Sequence, residues 1–243
     1  MLPFSVMTYN VHSCRGTDGR LSPARIASLI MRCRPDIIAL QELDANLSRS
    51  GLTDQVKAIS EALRMGYHFQ PSLFVEEGAY GNALLSHYPM RLVKAAELPC
   101  PPGRSDLEKR GALWVEVELP GRRVQVINTH LGLNLRERVV QATALVGGEW
   151  LGHPDFRTPS VLCGDLNSIP GFSAHRVLGK FLTGAQQLGG RATKTWPSRW
   201  PLLAIDHVFV SGGIVVRGVR AVRDPLARLA SDHLPLMAEL VLP

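Results

Sequence analysis

An acid and an imidazole stand side by side in Ser231-Asp232-His233-Leu234-Pro235, directly before the apolar run Leu236-Met237-Ala238-Glu239-Leu240-Val241. That run reads as a buried strand, so the pair sits at a strand mouth, where a rigid scaffold presents chemistry. Four other polar clusters are placed the same way. Asn10 closes the N-terminal apolar segment, and Gln41 and Glu42 leave Ile37-Ile38-Ala39-Leu40. Asp165 and Asn167 follow Val161-Leu162-Cys163-Gly164, and Asp206 opens Asp206-His207-Val208-Phe209-Val210. Residues two apart in an extended segment face the same side, so Asp165 and Asn167 converge on one ligand. A single acid after a strand is usually a turn residue. Five such clusters at the exits of five apolar strands point to a site.

The chemistry open to this set is narrow. Oxygen donors without cysteine suit Mg²⁺ or Mn²⁺ better than zinc. A hard cation held by Glu42 and Asp232 could bind a phosphate oxygen as a Lewis acid. Asp165 and His233 could activate water, while Asn167 and His130 donate hydrogen bonds to the oxyanion. Asp206 is the carboxylate best placed to orient His233 and favour its charged form.

Strands interleaved with helices must position these groups. Phe4 to Val11 reads as a strand, and Ser22 with Pro23 opens a helix to about Arg32. Asp36 to Leu40 is a short strand, and a helix runs from about Thr53 to Met65. A β-rich centre follows, at Tyr67–Val75, Ala79–Ser86, Arg91–Leu98, Gly111–Leu119 and Arg123–His130, with Pro120-Gly121-Arg122 as a hairpin turn. Helices over Leu135–Leu151 and Ser173–Leu182, a strand over Leu202–Val210 and a hairpin at Gly212-Gly213 complete the chain. No linker divides it. The expectation is one α+β domain over residues 1–243, with two mainly antiparallel sheets face to face and helices outside.

Composition sets further bounds. The 243 residues are 45% hydrophobic and 20% charged, which is ordinary for a globular chain. No apolar run approaches the roughly 20 residues needed to span a bilayer. The N-terminus lacks a basic region and a cleavage site, and the four cysteines are widely spaced. A cytoplasmic protein without disulfides or zinc is therefore expected. A net charge of +6 suits anionic partners, whether nucleic acid, phosphorylated small molecules or an acidic membrane surface.

Thr8-Tyr9-Asn10-Val11, Ile38-Ala39-Leu40-Gln41-Glu42, Asn128-Thr129-His130-Leu131, Gly164-Asp165-Leu166-Asn167, Ile205-Asp206-His207-Val208 and Ser231-Asp232-His233-Leu234-Pro235 stand in this order along nearly the whole chain. In this the chain resembles the endonuclease/exonuclease/phosphatase superfamily. The resemblance implies a four-layered α/β sandwich and divalent-metal-dependent cleavage of phosphoester bonds. It places Asn10, Glu42 and Asp232 around the metal, makes Asp165 the residue that orients or deprotonates water, and lets Asn167 bind the phosphoryl group. His233, paired with Asp206, is the family's catalytic histidine. The Thr129-His130 pair resembles the branch holding pancreatic deoxyribonuclease, sphingomyelinases and deadenylases, and the chain also looks like small bacterial members related to lipid-anchor remodelling hydrolases.

Substrate-binding candidates are Asn82, in a strand motif resembling the family's, Arg110, which could pair with a phosphate, and Lys194, Trp196 and Arg199. The last three belong to Arg191–Pro201, a stretch that leads into Asp206 and could stack a base or lie against a headgroup. The resulting expectation is a Mg²⁺- or Mn²⁺-dependent phosphodiesterase or phosphatase acting on a phospholipid-like or small phosphorylated substrate. A nuclease acting on DNA or RNA is the alternative, and a non-catalytic anion-binding module the alternative of another class. Peripheral contact with a membrane surface is compatible with the first reading.

Overall fold

Two six-stranded sheets form the centre of the molecule in a computed structural model, which describes residues 1–75, 77–189 and 193–243. The first sheet contains β1 (Leu2–Asn10), β2 (Ile37–Ala45), β3 (Gly66–Val75), β4 (Gly78–Ser86), β11 (Val215–Ala221) and β12 (Leu236–Leu242), in the order β11-β12-β1-β2-β4-β3. The second contains β5 (Met90–Glu97), β6 (Gly111–Leu119), β7 (Arg122–His130), β8 (Ser160–Asp165), β9 (Thr183–Gly184) and β10 (Asp206–Ser211), in the order β5-β6-β7-β8-β10-β9.

Alternation along the strands dictates the layering. On β2, Ile37 and Ala39 face the core between the sheets, while Ile38 and Leu40 face the helices outside. Those helices are α1 (Pro23–Cys33), α2 (Gln55–Leu63) and α6 (Pro225–Ala230), packed through Ile26, Leu29, Ile30, Val56, Ile59 and Ala227. The outer face of the second sheet, with Trp114, Ile127, Leu162 and Phe209, is covered by α3 (Leu135–Val146) and α4 (Ser173–Leu178); α5 (Ala185–Leu188) packs Ala185 into the inter-sheet core. Helix, sheet, sheet and helix make four layers. The N-caps expected at α1 form, with Ser22 accepting from the Arg25 N–H and Pro23 in the first turn.

The sheets are mainly antiparallel, as expected, with β1 and β2 and β7 and β8 paired in parallel across helical crossovers. Several boundaries differ from the sequence expectation. The helix expected to Leu151 stops at Val146, where Gly147-Gly148 follow, and the one expected to Leu182 stops at Leu178 before Gly179. Leu202–Ile205 is loop, and the strand begins at Asp206. The α6 helix was not anticipated, although Asp224 caps it by accepting from the Ala227 N–H and Pro225 occupies its first turn. Arg191 and Ala192, at the head of the basic, tryptophan-bearing stretch, lie outside the described residues. Among the described residues no helix is long and apolar enough to cross a membrane.

A buried polar clamp joins the sheets. Asn128 on β7 donates from Nδ2 to the carbonyls of Leu40 and Ala83, both at 2.9 Å, on β2 and β4. Its Oδ1 accepts from Gln41 Nε2 at 2.8 Å, and the same amide nitrogen reaches Thr8 Oγ1 at 3.0 Å. All of these groups are buried, so each hydrogen bond left unmade carries a desolvation penalty of about 1–3 kcal/mol. Asn128→Leu should therefore lower the unfolding free energy by about 2–5 kcal/mol. Urea denaturation followed by circular dichroism measures it, and a loss under about 1 kcal/mol would show that the clamp is dispensable.

Candidate active site

Strand polarity brings the polar clusters together. The parallel strands β1, β2, β7 and β8 end at one edge of the sandwich, delivering Asn10, Glu42, His130 and Asp165. The antiparallel β10 and β12 begin at that same edge, delivering Asp206 and the Asp232-His233 pair. Side chains from both sheets thus meet at the carboxyl ends of the parallel strands, a recurrent place for a site.

Asp206, His233 and Asp165 form a buried chain. Asp206 Oδ2 lies 2.9 Å from His233 Nδ1 and also accepts from Thr195 Oγ1 at 2.5 Å. On its other side the His233 ring presents Nε2 at 3.6 Å from Asp165 Oδ2. Burial by itself pulls an imidazole down, but the Asp206 and Asp165 carboxylates outweigh it and hold His233 up at about 10. Burial pushes Asp165 up to about 7 against the pull of the His233 charge; Asp206 adds to the rise, and hydrogen bonds from the Asn167 N–H and Asn10 oppose it.

His130 sits across from this chain with its Nε2 3.6 Å from Asp165 Oδ2 and 3.9 Å from Glu42 Oε1. Burial, followed by the Arg110 and His233 charges, keeps its pKa well below the ordinary range. Two buried histidines in one site are thus held in opposite protonation states. Asn10 Nδ2 bridges Glu42 Oε1 at 2.8 Å and Asp165 Oδ2 at 3.0 Å. Asn167 donates its N–H to Asp165 Oδ1 at 2.9 Å and its Nδ2 to the Leu131 carbonyl at 2.8 Å.

The backbone is contorted where it carries these groups. Glu42 has φ 60° inside a bulge between Leu40 and Leu43, and Asn167 has φ 47°. His12, Ser13 and Cys14 have φ 48°, 50° and 55°, a left-handed turn held by the bond from the His12 N–H to Asn10 Oδ1 and by Gln55 Nε2 on the Ser13 carbonyl. Each such residue costs about 1–3 kcal/mol, and such conformations cluster where placement of a side chain matters.

His12, Ser13, Glu42, His130, Asp165, Asn167, Asp232 and His233 border a cleft of about 660 Å³. Asp44 and Glu108 in its wall are paired with Arg49 at 2.6 Å and Arg110 at 3.0 Å. Glu42 and Asp232 have no lysine or arginine partner among the described residues, and both keep side-chain surface open to the cleft. Unbalanced, partly exposed oxygen donors of this kind fit Mg²⁺ or Mn²⁺. Among the described residues, the acidic and imidazole group whose ligand atoms lie within 4.8 Å of one another is a different one, Asp165, Asp206 and His233. Its atoms are already engaged with one another, which suits proton control better than coordination.

Of the expected site residues, Asn10, Glu42, His130, Asp165, Asn167, Asp206, Asp232 and His233 are brought together. Arg110 and Trp196 also border the cleft, and Trp196 donates from Nε1 to Asp232 Oδ2 at 3.3 Å. The remaining substrate-binding candidates are placed elsewhere. Asn82 is buried with Nδ2 on Gln70 Oε1 and the Gly111 carbonyl. Arg199 is exposed and donates to the Thr17 carbonyl, and Lys194 is exposed outside the cleft lining. His12, Tyr80 and Glu108 border the cleft without having been anticipated. For His12 a signal existed, two residues beyond Asn10 in the same polar cluster, 3.7 Å from Asp232. Away from the cleft, His153 packs edge-on against Trp114 and His175 against His207.

A model of the endonuclease/exonuclease/phosphatase family matches residues 7–233, and the chain belongs to that family, whose enzymes hydrolyse phosphoester bonds. YbhP of Escherichia coli K12 is 26% identical over 253 residues, covering 98% of this chain and 96% of its own. An endonuclease/exonuclease/phosphatase from Beutenbergia cavernae superposes with TM-score 0.78 at 24% identity, over 100% of this chain and 72% of that one. A mannosyl-6-phosphatase of Bacteroides thetaiotaomicron superposes with TM-score 0.78 at 20% identity, over 98% and 100%. At these identities the structural likeness speaks for the fold.

The electrostatics of the buried chain can be checked directly. A folded-state pKa raised above the unfolded one contributes stability that is present below the ordinary histidine range and lost as pH rises through about 10. Asp206→Asn removes a carboxylate that holds the His233 charge. The His233 titration, followed by NMR, should move down by at least about one unit. The stability gap between wild type and variant should be wide at pH 6 and narrow above pH 10, and a gap independent of pH would contradict the assignment.

Proposed function

We propose that this protein is a divalent-metal-dependent hydrolase that cleaves a phosphodiester by one in-line attack of water, without a covalent enzyme intermediate. The observation that carries the reading is the buried Asp206–His233–Asp165 chain beside His130 and Asn167, at a cleft whose Glu42 and Asp232 have no lysine or arginine partner among the described residues. Asp165, near 7, takes the proton of a cleft water. The water oxygen bonds to phosphorus as the ester bond on the opposite face breaks, and the leaving oxygen takes a proton from solvent. His233, held charged by Asp206, and neutral His130 with Asn167 donate to the phosphoryl oxygens as charge develops there. Mg²⁺ or Mn²⁺ held by Glu42 and Asp232, with Asn10 beside them, would supply Lewis-acid charge to a phosphoryl oxygen.

A chromogenic phosphodiester should be hydrolysed faster than its monoester in Mg²⁺ or Mn²⁺, and chelator should abolish turnover. Asp165→Asn should lower kcat by about 10²–10⁴-fold. Turnover indifferent to both chelator and this substitution would sink the mechanism.

Within this reading the substrate is phospholipid-like. Support comes from exposed aliphatic and aromatic side chains: Leu133 at 73% and Leu203 in the cleft lining, Trp200 at 77% and Leu202 in the loop between the lining residues Trp196 and Leu203, and Phe172 at 64%. Arg15 in the cleft wall, Arg199 next to Trp200 in the chain, and Arg228, which donates to the Arg199 carbonyl, provide positive charge for anionic headgroups. A nuclease would instead present a continuous basic groove, whereas Arg49 and Arg110 here are tied to Asp44 and Glu108. A cytoplasmic location, peripheral to the membrane, and a single working domain over residues 1–243 belong to the same reading; the four cysteines are unbridged.

Vesicles containing anionic phospholipid should blue-shift the tryptophan emission, the change coming from Trp200, and Trp200→Ser should remove it. Leu133→Asp with Leu202→Asp should abolish vesicle binding while leaving hydrolysis of the small chromogenic substrate intact. Salt-sensitive binding to DNA or RNA with no response to vesicles would select the nuclease branch instead.

A further inference from the structure

His130 is flanked by hydrogen-bond donors on both ring nitrogens. Arg110 Nη1 lies 3.0 Å from Nδ1, and Asn167 Nδ2 lies 3.2 Å from Nε2. A neutral imidazole has one acceptor nitrogen, so it can satisfy only one of them. The two contenders are unequal. Arg110 is a buried guanidinium with no acceptor capacity, held in place by Glu108 Oε1 at 3.0 Å and with the Tyr80 hydroxyl against it. Its Nε has no partner among the described residues, so losing the His130 contact as well would strip a buried cation of a further acceptor. Asn167 is a neutral amide that already donates to the Leu131 carbonyl. A charged donor makes the stronger hydrogen bond, so Nδ1 accepts from Arg110 and the ring proton resides on Nε2.

We infer that Arg110 is a positioning residue: it fixes His130 as the Nε2–H tautomer and thereby leaves two N–H donors, His130 Nε2 and Asn167 Nδ2, side by side for one phosphoryl oxygen. The inference follows from the 3.2 Å separation. With the proton on Nε2, the imidazole and the amide are both donors and cannot bond to each other. An oxygen acceptor placed between them relieves the conflict and takes both protons. The same cleft wall carries Asp165 and Glu42, whose oxygens lie 3.6 and 3.9 Å from Nε2, beyond a good hydrogen bond. The His130 Nε2–H and the second N–H of Asn167, the first being spent on the Leu131 carbonyl, are therefore available to an entering anion, and a preorganised pair of this kind favours charge that develops on the oxygen during reaction. Arg110 acts through the histidine, which gives this guanidinium a different task from the direct phosphate contact expected of it.

The phosphoester reading names the anion, but the tautomer can be measured without substrate or activity. Long-range ¹H–¹⁵N correlation on the ¹⁵N-histidine-labelled protein should show His130 as a neutral ring protonated at Nε2. Arg110→Met, which keeps the buried stem and removes the donors, should shift the ring to the Nδ1–H form. The free Nε2 then accepts from Asn167. Arg110→Lys, which restores a charged donor, should return the ring to Nε2–H. On a phosphodiester, Arg110→Met should lower kcat by about 10²-fold with KM changed far less, the size seen when one oxyanion donor is lost, and Arg110→Lys should recover part of it. A wild-type ring protonated at Nδ1, or an Arg110→Met ring still protonated at Nε2, would overturn the inference whether or not the protein hydrolyses phosphodiesters. An Nε2–H ring that responds to both substitutions in a protein inactive on every phosphoester would uphold the tautomer control and defeat only the reaction assigned to the site.

Discussion

Everything at the cleft depends on the two sheets keeping their register against each other. Glu42, Asn10, Asp232 and His233 belong to the first sheet or its loops, and His130, Asp165, Asn167 and Asp206 to the second. Apolar packing between sheets is non-directional and tolerates sliding. The Asn128 amide does not, because it satisfies two carbonyls of the opposite sheet and accepts from Gln41 at the same time. The clamp lies at the edge that carries the site, one residue from Glu42 on β2 and two from His130 on β7. A displacement of about 1 Å there is the scale at which positioned catalytic groups lose their advantage.

With the register held, burial and neighbouring charge decide what each titrating group does. His130 and His233 are chemically identical and almost equally buried, yet one is kept neutral and the other charged. Burial pulls both rings down and Asp165 lies 3.6 Å from each; His130 has the Arg110 guanidinium and the His233 charge against it, whereas Asp206 at 2.9 Å turns the balance at His233. Asp165 stands between the two rings, and its rise to about 7 follows from burial that the single His233 charge only partly offsets. Hydrogen bonds inside a low-dielectric site reinforce these assignments, since an unpaired charge there is far more costly than in water. The left-handed turn at His12–Cys14 and the bulge at Glu42 belong to the same economy of placement, each held by a side chain of the site or its immediate support.

Apolar strand runs followed by polar residues were readable because strand burial leaves a local trace, and strand polarity then places every such exit at one edge. Asn82, Lys194 and Arg199 lie outside the cleft lining. A polar residue within a strand and two cations in a loop have no local feature that distinguishes the cleft side from any other, and here Asn82 is spent on Gln70 and Gly111 while Arg199 reaches the Thr17 carbonyl. The mainly antiparallel character of the sheets was legible too, but which strands pair in parallel was not, because parallel pairing is decided by how a crossover helix packs, which strand composition alone does not report.

The order and spacing of Asn10, Glu42, His130, Asp165, Asn167, Asp206 and Asp232-His233 determined the family, the layered architecture and the oxygen-rich chemistry, because these follow from local patterns repeated along the chain. Tertiary structure alone decided the rest. The pairing of Arg110 with His130 joins residues 20 apart, and that of Asn10 with Asp165 joins residues 155 apart. Protonation states and the meeting of side chains from both sheets at one cleft arise from contacts between distant segments, and free energies of that kind exist only once the two sheets have closed on each other.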